Sequence, residues 1–150
     1  TDLVPLAAGS VLGTCNGSAS AIWGVSYPIP DKYMLTTTET TAILTRTAEF
    51  NAIINTAVTT TYTDRLALAD VNKAYADFVT AKALISDGVM LTPSFAPPTG
   101  AWSEDGLHPN SRGYAFTANV FISAISSKFS AVIPKAKLNA YSGTALPVNP

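Results

Sequence analysis

The sequence predicts an α/β fold in which short parallel strands alternate with helices that cover both faces of the sheet. Two observations carry this expectation. Three segments, at about 37–60, 72–86 and 111–129, repeat apolar residues at helical spacing. Two short apolar runs, at about 3–8 and 65–70, lie outside those segments and read as buried strands.

Each element has a local reason. Leu3-Val4-Pro5-Leu6-Ala7-Ala8 is apolar enough for a strand, and Pro5 marks it as an edge. Residues 9–30 are rich in Gly, Ser, Asn and Pro and read as loop, pinned by Trp23, Tyr27 and Ile29. Thr36-x-x-Glu39 fits a capping box, in which hydroxyl and carboxylate satisfy free amides at a helix start. Ile43, Thr47, Phe50, Ile54, Ala57 and Val58 then form one face of the first helix. Arg65-Leu66-Ala67-Leu68-Ala69-Asp70 reads as a buried parallel strand, with Asp70 capping the second helix. That helix turns Ala74, Phe78, Ala81, Leu84 and Ile85 inward, and Asp87-Gly88 stops it. Val89 to Thr92 reads as a further short strand. The third helix carries Tyr114, Ala118, Phe121, Ile122, Ile125 and Phe129 as its apolar stripe, and the tail from Ser130 reads mostly as loop. Two firm strands are too small a sheet for three amphipathic helices. More strands are therefore expected from an N-terminal portion or a partner chain.

Composition narrows the function. The chain has 150 residues, 47% hydrophobic and only 13% charged, with a net charge of −1. No basic stripe announces nucleic acid. No apolar run approaches the roughly 20 residues of a membrane span. The start at Thr1, without an initiator Met or a readable signal peptide, is expected of a mature form or a fragment. Abundant Thr, Ala, Ser and Asn beside few Lys and Arg suit an exported protein. Cys15 is the single cysteine, so no internal disulfide forms. One His and one distant Cys do not suggest a zinc site, and no Gly-rich loop precedes a helix. No metal and no cofactor are expected.

His108 is the only histidine, and Asp105 stands three residues before it. An imidazole with an unperturbed pKa of about 6.5 is the natural general base near neutrality. A carboxylate that accepts its Nδ1–H fixes the tautomer and leaves Nε2 to take a proton. Spacing alone leaves a second reading open, a structural Asp–His pair that stabilises a turn before a helix.

The run Asp105-Gly106-Leu107-His108-Pro109-Asn110-Ser111-Arg112-Gly113-Tyr114-Ala115 resembles the last block of the SGNH hydrolases, also called GDSL esterases/lipases. That resemblance implies catalytic roles for Asp105, as orienter, and His108, as base. It implies a flavodoxin-like three-layer sandwich with a parallel sheet, in which residues 1–150 are the C-terminal portion of a single domain whose sheet is incomplete without its N-terminal half. Leu3 to Pro30, Tyr33-Met34-Leu35-Thr36, Glu39, Phe50-Asn51 and Leu68-Ala69-Asp70 look like the same half of larger, exported or lipid-anchored SGNH-type proteins of Bacteroidetes-type bacteria.

The family's nucleophile lies in a Gly-Asp-Ser-type block, and its oxyanion donors in that block and two others. The chain has no Gly-Asp-Ser. Gly24-Val25-Ser26-Tyr27-Pro28 begins like a nucleophile elbow, but Pro28 replaces the second Gly and no helix pattern comes after it. Ser103 is expected to brace the Asp–His turn and Glu104 to be solvated. Three readings remain. The chain is the Asp–His half of a serine ester hydrolase acting on a small ester or an acylated glycan or lipid, with the serine and oxyanion hole on a missing half or companion chain. Or it is a non-catalytic module binding carbohydrate or another surface, with Trp23, Tyr27 and Trp102 as platforms. Or it is a stand-alone domain in which Asp105–His108 is structural.

Overall fold

A computed structural model describes residues 2–143. The chain divides between Ala57 and Val58 into two compact units.

The first unit is largely turns, with one helix at its end. Pro5, with φ of −61°, starts a 3-10 helix at Leu6–Ser10. Residues 3–8 therefore do not form the expected strand. Only Leu3 pairs, in an isolated antiparallel bridge with Leu35. The reason is Pro5, whose fixed φ and missing N–H favour the turn over continued pairing. Further single bridges, Cys15 with Ile22 and Trp23 with Tyr27, fold the loop back on itself. A 3-10 turn at Asp31–Tyr33 leads to helix α1, Thr37–Thr56. Its capping box forms as expected: the Glu39 amide donates to Thr36 Oγ1 at 3.3 Å, and the Thr36 amide donates to Glu39 Oε2 at 2.9 Å. The Thr36 amide and the Thr36 hydroxyl, which both donate to Glu39 Oε2, hold the Glu39 carboxyl below its ordinary pKa. The Asp2 carboxylate adds an acceptor for the Thr37 amide at 2.9 Å. Helix α1 buries none of its residues, so its stripe of Ile43, Phe50 and Ile54 stays exposed.

In the second unit, a π-helical turn ends at Thr61. Residues 66–70 have no regular structure and pair with no strand, so the parallel strand expected at 65–70 is absent. Leu66 and Leu68 are exposed there, and an apolar run without a neighbouring strand has no ladder to join. Asp70 does cap helix α2, Val71–Ala81, through its Oδ1, which accepts from the Lys73 amide at 2.8 Å.

Helix α2 stops five residues short of the expected 86. Lys82 adopts a left-handed conformation, φ 64°, and its amide closes back on Phe78 and Val79. Leu84–Ser86 then forms strand β1, paired antiparallel with β2, Val89–Leu91. Asp87 (φ 52°) and Gly88 (φ 75°) connect them, and positive φ at both central residues is the requirement of a type I′ hairpin turn. The sheet of the described residues is thus a two-stranded antiparallel hairpin. This overturns the expected flavodoxin-like parallel sandwich.

Helix α3 spans Ser111–Phe129, as expected. Its packed face, however, is Gly113, Ala115 and Phe116 rather than the predicted stripe. Tyr114, Phe121, Ile125 and Phe129 are exposed. The core gathers Phe78 from α2, Leu91 from β2, Ala101, Ala115 and Leu138. Around it Tyr75 lies 5.2 Å, centroid to centroid, from both Trp102 and Phe116. The Tyr75 hydroxyl pairs with Thr117 Oγ1 at 2.7 Å, which ties α2 to α3. Burial raises the Tyr75 phenol pKa above its usual value. Asn119 bonds Ala136 at both ends, 2.8 Å each way, like one rung of a ladder.

Helix α3 meets the 100–102 segment at Gly113. A Cβ there would lie 2.2 Å from the Ala101 carbonyl oxygen. Gly113→Ala is therefore expected to lower stability by about 1–3 kcal/mol, as overpacking does. Denaturant midpoints of the two forms measure it, and an unchanged midpoint would refute the tight approach.

Candidate active site

The Asp–His segment is a loop pinched at its neck. Trp102 and Pro109 form an antiparallel bridge. Below it the Asn110 amide donates to Ala101 O at 2.9 Å, and above it the Ser103 amide donates to His108 O at 2.8 Å. The residues between must turn tightly. Gly106, with φ of 72°, supplies the left-handed residue, and its amide donates to Ser103 O at 3.1 Å.

Asp105 organises the turn. Its Oδ1 accepts from Ser103 Oγ at 2.5 Å and from the amides of Leu107 and His108 at 2.9 Å each. Its Oδ2 lies 2.6 Å from His108 Nδ1. Four donors converge on one carboxylate. They hold Asp105 far below the usual carboxylate range, with the Ser103 hydroxyl the largest cause and the His108 ring the next. An ionised carboxylate can only accept, so Nδ1 carries the proton. The neutral ring then has its lone pair on Nε2, which has no hydrogen-bond partner among the described residues. The His108 side chain is 62% exposed and that of Asp105 49%. The expected base thus has an open nitrogen facing solvent and a buttressed partner behind it.

Asn110 joins this turn to α3. It is 4% exposed. Its Nδ2 donates to Gly100 O at 2.7 Å and to Trp102 O at 3.3 Å. Its Oδ1 accepts from the Arg112 and Gly113 amides at 3.1 and 3.0 Å, which caps the helix. Arg112 then straps α3 to two other segments: its guanidinium donates to the carbonyls of Pro98 (2.7 Å) and of Leu138 (3.2 Å) and Tyr141 (3.1 Å) in one turn. Sequence reasoning gives neither residue a role of its own. The signal for Asn110 is present, since Asn is a favoured cap immediately before a helical pattern.

The other candidates have plainer places. Glu104 is exposed, as expected. Ser103 braces the turn through Asp105. In the first unit Ser26 Oγ donates to Ser20 O at 2.7 Å and accepts from the Ile22 amide at 2.9 Å, so that hydroxyl is committed to its own loop. Trp23 meets Tyr27 edge to face at 5.2 Å, and Trp102 packs against Tyr75. Cys15 is exposed and unpaired. Among the described residues no group of three or more His, Cys, Asp or Glu could hold a metal ion. No described helix is long and apolar enough to cross a membrane. Comparison with family models, curated proteins and solved structures found nothing that matches this chain.

This geometry has two measurable consequences. Asn110→Ala removes the cap and leaves the buried Gly100 carbonyl and the half-buried Trp102 carbonyl without their donor, and is expected to cost about 2–4 kcal/mol; chemical denaturation checks it, and a loss below about 0.5 kcal/mol would contradict the clamp. A depressed Asp105 contributes to the turn's stability above its unfolded pKa, and that contribution disappears as pH falls through the lower folded value. The amide resonances of Leu107 and His108 should keep their positions through the ordinary carboxylate range near about pH 4 and move only in stronger acid. Movement centred near 4 would show that the donors do not converge in solution.

Proposed function

We propose that this chain contributes the general base and its orienting carboxylate to a serine ester hydrolase of SGNH type. The observation that carries the reading is the 2.6 Å contact of His108 Nδ1 with an Asp105 carboxylate already held by three other donors. It leaves Nε2 exposed and able to accept a proton. A serine on another segment or companion chain attacks the acyl carbonyl, and Nε2 takes its proton. The tetrahedral intermediate collapses to an acyl-serine as His108 returns the proton to the departing alcohol, and a water deprotonated by Nε2 then releases the acid and restores the serine. Asp105 holds the ring and stabilises the imidazolium, remaining ionised throughout. The oxyanion donors lie with that serine, and each contributes on the order of 3 kcal/mol. Substrates are small esters or acylated glycans or lipids, and the Thr-, Ala- and Ser-rich composition accords with an exported enzyme.

Assays with p-nitrophenyl acetate and butyrate test this. The 150-residue chain alone is expected to give no turnover. A longer or two-chain form that supplies the serine should hydrolyse both esters. In that form, His108→Ala and Asp105→Asn should each lower kcat by on the order of 10⁴-fold. Full activity of the complete form with His108→Ala would sink the assignment. Activity of the isolated chain that His108→Ala abolishes would place the nucleophile on this chain instead.

A further inference from the structure

We propose that Ser103 is a positioning residue for the Asp105–His108 pair: its hydroxyl pins one carboxylate oxygen so that the other alone faces the imidazole. The inference rests on the base-and-orienter reading above. A carboxylate turns easily about its last bond, because that torsion is broad and roughly two-fold. Here the two oxygens have unequal surroundings. Oδ1 takes three donors, from Ser103 Oγ, Leu107 N and His108 N, at 2.5, 2.9 and 2.9 Å. Oδ2 takes one, from His108 Nδ1 at 2.6 Å. The two amides come from residues after Asp105, and the hydroxyl from the residue two before it. The carboxylate is thereby gripped from both arms of the turn.

Ser103 is itself a fixed post. Its amide donates across the neck to His108 O at 2.8 Å, and its carbonyl accepts from Gly106 N at 3.1 Å. Its hydroxyl can only donate to an ionised acceptor, and 2.5 Å is the short separation expected of a hydroxyl on a carboxylate. That proton is directed at Asp105, which leaves Ser103 poorly placed to be the attacking nucleophile. With Oδ1 saturated, the direction of Oδ2 is set. The imidazole is then held as the Nδ1–H tautomer, with Nε2 free to accept a proton.

The test uses the ¹⁵N-labelled 150-residue chain and reads the His108 ring nitrogens by long-range proton–nitrogen correlation, at a pH where the ring is neutral. Ser103→Thr and Ser103→Val have nearly the same shape and differ in the hydroxyl. Wild type and Ser103→Thr should both show the Nδ1–H tautomer. Ser103→Val should shift the tautomer ratio toward Nε2–H by roughly tenfold, the size of one hydrogen bond's net contribution. The Leu107 and Asn110 amide resonances report in the same samples that the turn is still formed. Should Ser103→Val lose the turn while Ser103→Thr keeps it, the hydroxyl is the post that the proposal requires. Identical ring spectra for Thr and Val at position 103, with the turn intact, overturn the proposal and leave the dyad standing. A wild-type ring already in the Nε2–H form, unchanged by Asp105→Asn, overturns the dyad reading itself.

Discussion

The buried amide of Asn110 is the joint on which the described site depends. Its nitrogen holds the carbonyls of Gly100 and Trp102, and its oxygen holds the first free amides of helix α3. One planar group thus sets the distance between the approach segment and the helix. Gly113 permits that distance, since any side chain there would strike Ala101. Arg112 then secures the same corner from the outside, through carbonyls of Pro98, Leu138 and Tyr141. The Asp–His turn projects from this corner with its neck clamped and its tip exposed. That combination, rigid at the root and open at Nε2, is what the proposed base requires.

Legibility in the sequence divides by the range of the forces involved. The capping box of Thr36 and Glu39, the Asp70 cap and the Asp105–His108 contact span three residues each. Short-range geometry decides them, so residue type and spacing suffice. The hairpin at Asp87-Gly88 is also local, and Asp-Gly between apolar residues is a strong hairpin signal. Reading it as a helix stop displaces strand β1 into helix α2. The larger error is the parallel sheet. An apolar run such as 65–70 becomes a strand only beside another strand, and that depends on long-range partners which spacing does not encode. The packed face of α3 escapes for a related reason. Small residues, Gly113 and Ala115, make the closest approach, whereas the bulky Tyr114, Phe121 and Phe129 that suggest a core face outward.

The exposed apolar residues bear on the functional reading. Helix α1 leaves Ile43, Leu44, Phe50, Ile53 and Ile54 exposed, and α3 leaves Phe121, Ile125 and Phe129 exposed. Amphipathic helices ordinarily gain most of their stability by burying such faces. A companion surface that covered one of these faces and carried a serine would accord with the proposed half-site reading. The carboxylate–imidazole pair needs no such help to form, because every bond that shapes it arises within the turn.

That self-sufficiency has a kinetic meaning. The bonds to Asp105 close over two or three residues, whereas the Arg112 bonds to Leu138 and Tyr141 close over 26 and 29. Loop-closure entropy rises with length, and even a ten-residue loop closes in about 10–100 ns. The dyad is therefore among the first contacts the chain can make and among the easiest to regain after a local opening. Its low contact order also makes the turn a transferable part. A different scaffold that reproduced the neck between Trp102 and Pro109 would inherit the oriented histidine with it.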